Sequence, residues 1–199
     1  MADKEFEIIA ETPLYRGFFN LSRVRLRHTL FGGGWSGPLD RELFHRGRCV
    51  GVVLYDPEAD RVVLIEQFRI GALRVKDDPW LLEIVAGAVE DGESHEDVAR
   101  REALEEAGCE IRELIRVGEF FTTPGACAER LTLFCGLVDS SGVGGVHGLA
   151  EEQEDIRVSV VDFAEAMAWI DEGLIDSAVP IVGLQWLALN RERWRGVSL

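Results

Sequence analysis

The 199-residue chain is short of positive charge: 21 Lys and Arg stand against 36 Asp and Glu, for a formal net charge of −15. Nucleic-acid binding draws much of its affinity from Lys and Arg neutralising phosphates. This balance therefore argues against nucleic acid as a partner, and it requires any phosphate-bearing ligand to meet metal ions or a local basic cluster. Long apolar runs are missing too. No stretch approaches the roughly 20 apolar residues that cross a bilayer, and the opening "MADKEFEIIAE" has neither the basic start nor the apolar centre of a secretory signal. No membrane association and a cytoplasmic location are expected. Cysteine is sparse: Cys49, Cys109, Cys127 and Cys135 form no CxxC pair, which removes the common zinc and redox motifs and leaves buried, reduced thiols as the expectation.

Nucleotide-handling and zinc signatures are absent as well. No GxxxxGK[ST] occurs, which excludes a P-loop, and "GVGGVHG" fails the GxGxxG spacing and precedes no helical pattern. His95 opens "HED", but Ala99 stands where HExxH needs its second histidine.

What is present is an ordinary globular composition, 47% hydrophobic and 29% charged, enough for one substantial core and a smaller appendage. Residues 5–31 alternate apolar with basic or polar residues in β-like runs, and "FGGGWSGP" then breaks the chain as a turn cluster. Residues 1–46 thus read as a small N-terminal β subdomain and 47–199 as the main domain. In the latter, "CVGVVLYDP" and "RVVLIEQFRI" predict a hairpin across "DPEAD", and "WLLEIVAG" predicts a third strand. Strands near 111–121 and 130–138 follow, then a glycine-rich loop "SSGVGGVHGLAEEQED", a strand "IRVSVV", and helices near 162–173 and 178–195. This mixture predicts α+β or an α/β/α sandwich rather than an all-parallel sheet.

Between the third strand and the later ones lies "GAVEDGESHEDVARREALEEAG", residues 87–108. Ser94 and Asp97 form an S-x-x-D capping box that starts a helix. At about 100° per residue, Glu102, Glu105 and Glu106 fall within an arc of roughly 100° on that helix. Only Arg101, four residues before Glu105, is placed to answer them. A solvated acidic face is one reading. The other is a cation site, because like charges one turn apart repel and a divalent ion removes the repulsion. Hard oxygen donors without His or Cys select Mg²⁺ or Mn²⁺ over zinc.

Gly87, five residues, Glu93, seven residues, then Arg101-Glu102-Ala103-Leu104-Glu105-Glu106-Ala107-Gly108-Cys109 resembles the Nudix box without a gap. Beyond the box, "LYRGFF", "VVLIEQFRI", "PWLLEIVAG", "TPGACAER" and "HGLAEEQEDIRV" resemble the ADP-ribose pyrophosphatase branch of the Nudix hydrolases over nearly the whole chain. Pro124 matches a proline that follows the box in that branch, whereas Ala126 and Cys127 depart from the Gly and hydroxyl residue expected there.

The resemblance implies a Nudix α/β/α sandwich with a small N-terminal β subdomain that exchanges across a homodimer and contributes to the nucleotide site. It implies hydrolysis of ADP-ribose to AMP and ribose 5-phosphate with Mg²⁺, for which Mn²⁺ can substitute. Glu102, Glu106 and the Ala86 carbonyl are the implied metal ligands, with Glu105 a further ligand or an orienting partner. Arg101 is expected to pair with Glu93 or Glu105, and Gly87 and Gly108 to shape the loops on either side of the helix. Carboxylates that bind metal are poor bases, so the base is sought in "AEEQED". That loop offers Glu151, Glu152, Glu154 and Asp155, unless it is only a solvated surface. Matching it to the family implies Glu152 as general base and Glu154 as an additional metal ligand. For the substrate, Arg69 is assigned to the phosphates, Arg41 and Phe18 to adenine, and Glu129 to the terminal ribose hydroxyls. Another nucleoside diphosphate sugar as substrate, or a ligand-sensing Nudix module without catalysis, are the alternatives.

Overall fold

A computed structural model describes residues 4–196. The chain divides into two compact units, Met1–Gly47 with Phe121–Arg130, and Arg48–Phe120 with Leu131–Leu199.

In the first unit, β1 (Phe6–Arg16) and β2 (Asn20–His28) form an antiparallel hairpin running from Phe6↔His28 to Arg16↔Asn20. The register slips at Pro13/Tyr15, where proline has no N–H to give the ladder. β2 in turn pairs with the start of β3 (Leu39–Asp56), from Asn20↔His45 to Leu26↔Leu39. From far along the chain, Phe121–Arg130 joins this unit, and the Phe44 N–H donates to the Ala126 carbonyl at 2.8 Å. β1 is exposed along its whole length.

The second unit begins with the buried end of β3. It pairs with β4 (Arg61–Phe68) through Leu54↔Val63, Tyr55↔Val62 and Asp56↔Arg61, the hairpin expected across "DPEAD". Asp56 Oδ1 shapes that turn by accepting from the Glu58 and Ala59 N–H groups, each at 3.0 Å. "WLLEIVAG" is not one strand but two. β5 (Trp80–Glu83) pairs with β4, and after the buried Ile84 the chain changes partner, so that β6 (Val85–Ala88) pairs with β3. The switch sets Ala86 and Gly87 opposite Gly51 and Val50, immediately ahead of α1 (His95–Ala107).

β7 (Glu113–Phe121), β8 (Cys127–Leu137), β9 (Gly145–His147), β10 (Ile156–Asp162), α2 (Phe163–Asp171) and α3 (Ala178–Asn190) complete the described strands and α-helices. β8 pairs with β7 and β3, while β10 pairs with β4 on one side and β9 on the other. β9 lies inside the segment read as a glycine-rich loop. Only Val146 of its three residues favours a strand, in a run rich in glycine, and its pairing to Ile156, Arg157 and Val158 supplies what the local sequence does not.

Strand alternation splits the core of this unit into two layers. Val50, Val52 and Leu54 of β3 and Val63 and Ile65 of β4 pack with Val98, Ala99, Ala103 and Ala107 of α1. The intervening Val53, Tyr55, Val62 and Leu64 pack with Phe163 and Ala166 of α2 and Leu184 and Leu187 of α3. Helices therefore cover both faces of the sheet, the α/β/α arrangement expected. Burial of each large apolar side chain contributes about 1.5–3 kcal/mol. The expectation of buried thiols holds for Cys109 and Cys135, whereas Cys49 and Cys127 are only half-buried, and none of the four is in a disulfide. Among the described residues no helix is long and apolar enough to cross a membrane.

Candidate active site

α1 carries the acidic stripe and is capped at both ends. Ser94 Oγ accepts from the Asp97 N–H at 3.1 Å and donates to the Asp97 carboxylate at 2.6 Å, the capping box read in the sequence. At the other end Gly108, with φ +64°, turns out of the helix in the left-handed region that glycine favours. Because Val98, Ala99, Ala103 and Ala107 face the core, Glu106 is carried inward and is only 3% exposed. The Ala86 N–H meets it, donating to Glu106 Oε2 at 2.9 Å. Ala86 was expected to serve through its carbonyl; its amide already ties β6 to α1. Glu102 lies against Gly87 so closely that a Cβ there would collide with its side chain. A side chain at 87 would push Glu102 out of this position.

Arg101 gathers the other acids. Its guanidinium stands 2.9 Å from Glu102, 3.0 Å from Glu105 and 3.5 Å from Glu93, so it meets both expected partners and Glu102 besides. One cation does not offset this much buried negative charge. Burial pushes the Glu102 carboxyl up to about 7, with the Glu105 and Glu154 charges adding to the rise and Arg101 opposing it. Burial likewise pushes Glu106 up to about 8; the Ala86 N–H and Arg69 oppose the shift, and the charges of Glu102 and Glu154 reinforce it. Carboxylates that resist ionisation together mark a place short of positive charge.

The acidic loop leaves and re-enters the sheet at one point, since His147 and Ile156 pair across β9 and β10. The Gly148 N–H donates to the Glu105 carbonyl at 3.3 Å, which tethers the loop to α1. Glu154 Oε2 accepts from the Leu149 N–H at 3.2 Å. Glu151 and Glu152 are exposed on a single 3-10 turn, Ala150–Glu152, and Asp155 is exposed beyond it. Arg69, just past β4, is held by Glu83 at the end of β5, Nε to Oε2 at 2.6 Å. Sequence reading missed Glu83; its signal is the β4·β5 register, which emerges only once "WLLE" is recognised as a strand separate from "VAGA".

The remaining candidates lie in the first unit. Phe18, between β1 and β2, is 94% exposed and meets Phe19 edge-on at 4.7 Å between ring centroids. Arg41 donates through Nη1 to the Asp40 carbonyl at 2.9 Å. Glu129 accepts from Arg46 Nε at 2.8 Å and from Thr122 Oγ1 at 2.6 Å, and Arg46 lies over the Phe19 ring at 4.9 Å.

Among the described residues no three His, Cys, Asp or Glu side chains converge as a metal-holding group. The reason is visible in their partners: Glu102 and Glu105 are turned to Arg101, Glu106 to the Ala86 N–H and Glu154 to the Leu149 N–H. The chemistry nevertheless fits a hard divalent cation. The donors are all carboxylate oxygens, and their mutual repulsion calls for positive charge.

Comparison with known proteins agrees with this geometry. Residues 45–178 match the NUDIX domain. The chain is 50% identical over 188 residues to an ADP-ribose pyrophosphatase of Escherichia coli, covering 94% of this chain and 90% of the relative. It is 48% identical over 192 residues to an ADP-ribose pyrophosphatase of Haemophilus influenzae, covering 95% and 88%. A GDP-mannose pyrophosphatase of Cronobacter sakazakii is 35% identical over 151 residues, covering 75% and 78%. Among solved structures, one described as an ADP compounds hydrolase superposes with a TM-score of 0.73 at 18% identity, covering 97% of each chain, a likeness of fold. With the box helix capped, its glutamates set against Ala86 and Gly87, and the domain match spanning them, the chain belongs to the Nudix family.

Proposed function

We propose that this chain hydrolyses the pyrophosphate bond of ADP-ribose to AMP and ribose 5-phosphate, using Mg²⁺ with Mn²⁺ as a substitute. The observation that carries this reading is the pair of buried glutamates, Glu102 against Gly87 and Glu106 on the Ala86 N–H, in a chain about half identical to two ADP-ribose pyrophosphatases. Glu102, Glu106, Glu154 and the Ala86 carbonyl would hold the cation, and Glu105 with Arg101 would orient the cluster. Bound there, Mg²⁺ neutralises pyrophosphate charge and so admits a negatively charged nucleophile. Arg69, aimed by its pairing with Glu83, receives phosphate oxygens. Glu152 is exposed and, among the described residues, its carboxylate makes no hydrogen bond or ion pair; it takes the proton of the attacking water. Hydrolysis of ADP-ribose with Mg²⁺, abolished by excess EDTA, is the expected result for the purified protein. Full activity in EDTA would remove the metal assignment, and inactivity on ADP-ribose alongside turnover of GDP-mannose would shift the substrate. The similarity to a GDP-mannose pyrophosphatase keeps that second nucleoside diphosphate sugar in the panel. The intact Glu102, Glu105 and Glu106 set weighs against a module that only senses ligand.

The same reading assigns residues 1–46 to dimerisation and to the nucleotide site, in a cytoplasmic homodimer without nucleic-acid or membrane partners. In support, β1 leaves Phe6, Ile8, Ile9, Leu14 and Tyr15 exposed on an edge strand, a surface that a second copy would cover. Light scattering is expected to give twice the 22.2 kDa chain mass; a monomer with full activity would overturn the assignment.

Phe18 and Arg41 are assigned to adenine and Glu129 to the distal ribose. The adenine end changes little as the pyrophosphate reacts, so Phe18→Ala and Arg41→Ala are expected to raise KM about tenfold with kcat nearly unchanged. A fall in kcat at constant KM would show that they serve the reacting centre instead.

A further inference from the structure

Gln67 lies on β4 two residues before Arg69, is only 8% exposed, and has a shielded side-chain Nε2 that bonds to nothing. Among the described residues Arg191 Nε alone shares that condition. A buried donor left idle destabilises a fold, so its persistence calls for a partner that arrives in another state of the site.

The strand register identifies that partner. Val63 and Ile65 of β4 pack in the layer of α1, so alternation directs Gln67 to the same face. The ladder of β4 with β10 ends at Arg157↔Glu66. Continued by its own antiparallel rule, it sets Ile156 opposite Gln67 and Glu154 opposite Arg69, and Ile156 packs in the α1 layer with Val63 and Ile65. Glu154 thus lies two residues from Ile156, the cross-strand neighbour of Gln67, and its charge reaches both Glu102 and Glu106. Its carboxylate is occupied by the Leu149 N–H. Arg69 is already committed to Glu83.

We propose that Gln67 is a positioning residue for Glu154: its carboxamide N–H donates to the Glu154 carboxylate when that carboxylate leaves the Leu149 N–H to join Glu102 and Glu106 around the cation. This rests on the reading of Glu154 as a cation ligand. Leu149 holds the acidic loop in its cation-free form, and Gln67 fixes one Glu154 oxygen so that the other faces the ion. Second partners of this kind tune metal affinity by about 10–100-fold.

The test uses Mn²⁺ as the probe, with free ion counted by electron paramagnetic resonance, and compares wild type, Gln67→Met and Gln67→Leu. Both variants fill the site with apolar atoms and remove the idle donor. The metal-free melting temperature is therefore expected to stay level or rise, while the Mn²⁺ dissociation constant rises about 10–100-fold. In a Glu154→Gln background the same substitutions are expected to add little, since the two residues act as one unit. Unchanged Mn²⁺ affinity in a folded variant overturns the proposal, as does an undiminished loss in the Glu154→Gln background. So does a failure of both variants to fold, which would make Gln67 a structural residue. Mn²⁺ binding that depends on Gln67 in a protein inactive on ADP-ribose upholds the positioning role and rejects only the substrate. Absence of Mn²⁺ binding by wild type rejects both.

Discussion

Glu106→Gln is expected to lower kcat on ADP-ribose by roughly 10²–10³-fold and, in the same sample, to make the metal-free protein more stable at alkaline pH. The two effects have one cause. Glu106 is nearly closed to solvent and its carboxyl is pushed by burial from 4.5 up to about 8. A carboxyl that holds its proton more tightly folded than unfolded stabilises the fold below about pH 4.5, and that contribution is lost as pH rises through about 8. Each pKa unit corresponds to about 1.4 kcal/mol, so Glu106 alone withdraws on the order of 4–5 kcal/mol from the metal-free protein across that window. Glutamine keeps the shape, still accepts the Ala86 N–H, and does not ionise. Urea melts in EDTA at pH 5 and pH 9 should therefore show wild type losing more stability than the variant between the two. The residual hydrolysis should demand more Mg²⁺. Parallel pH dependence in the two proteins would show that Glu106 ionises as an ordinary surface carboxylate and is no ligand.

The opposed signs explain why this stretch concentrates acid in an already acidic chain. Glu102 and Glu106 resist ionisation because burial penalises their charged forms and both feel Glu154, with Glu105 adding to the rise at Glu102 and Glu102 to that at Glu106. Removing a charge there stabilises the fold and weakens the site. Arg101 holds the cluster together in the absence of a cation, which is why it touches three glutamates rather than one.

Much of this was legible in the sequence because it is local. The capping box at Ser94, the α1 stripe, the β3·β4 hairpin and Gly87 follow from spacings of a few residues, where helix period and turn chemistry act directly. What escaped depends on pairing between distant segments. The split of "WLLEIVAG" at Ile84 comes from two strands competing for one apolar run, and no local signal says where the change falls. β9 forms in a glycine-rich loop only because β10 offers an edge. The Arg69–Glu83 pair and the idle amide of Gln67 are likewise consequences of register. Phe18, assigned from the sequence to adenine, stands almost fully exposed beside Phe19.

The acidic loop yields the other large effect. Glu152→Gln is expected to lower kcat by roughly 10²–10⁴-fold at an unchanged Mg²⁺ requirement, whereas Glu154→Gln should chiefly raise the Mg²⁺ concentration needed. The two glutamates differ in surroundings despite their closeness in sequence. Glu154 shares its field with Glu102 and Glu106 and is bonded to the Leu149 N–H. Glu152 stands exposed on the 3-10 turn, between His147 and Ile156, whose pairing fixes both ends of the loop. A base must keep a lone pair for the water proton, which a ligand carboxylate does not. The tether from the Gly148 N–H to the Glu105 carbonyl keeps the start of this loop beside α1. The measurement is a Mg²⁺ titration of kcat for each variant, with Glu151→Gln as the control for loss of surface charge alone. Activity lost at saturating Mg²⁺ in Glu151→Gln, and not in Glu152→Gln, would move the base to its neighbour. Activity retained by Glu151→Gln, Glu152→Gln and Glu154→Gln alike would leave the loop a solvated surface and return water activation to the carboxylates of α1.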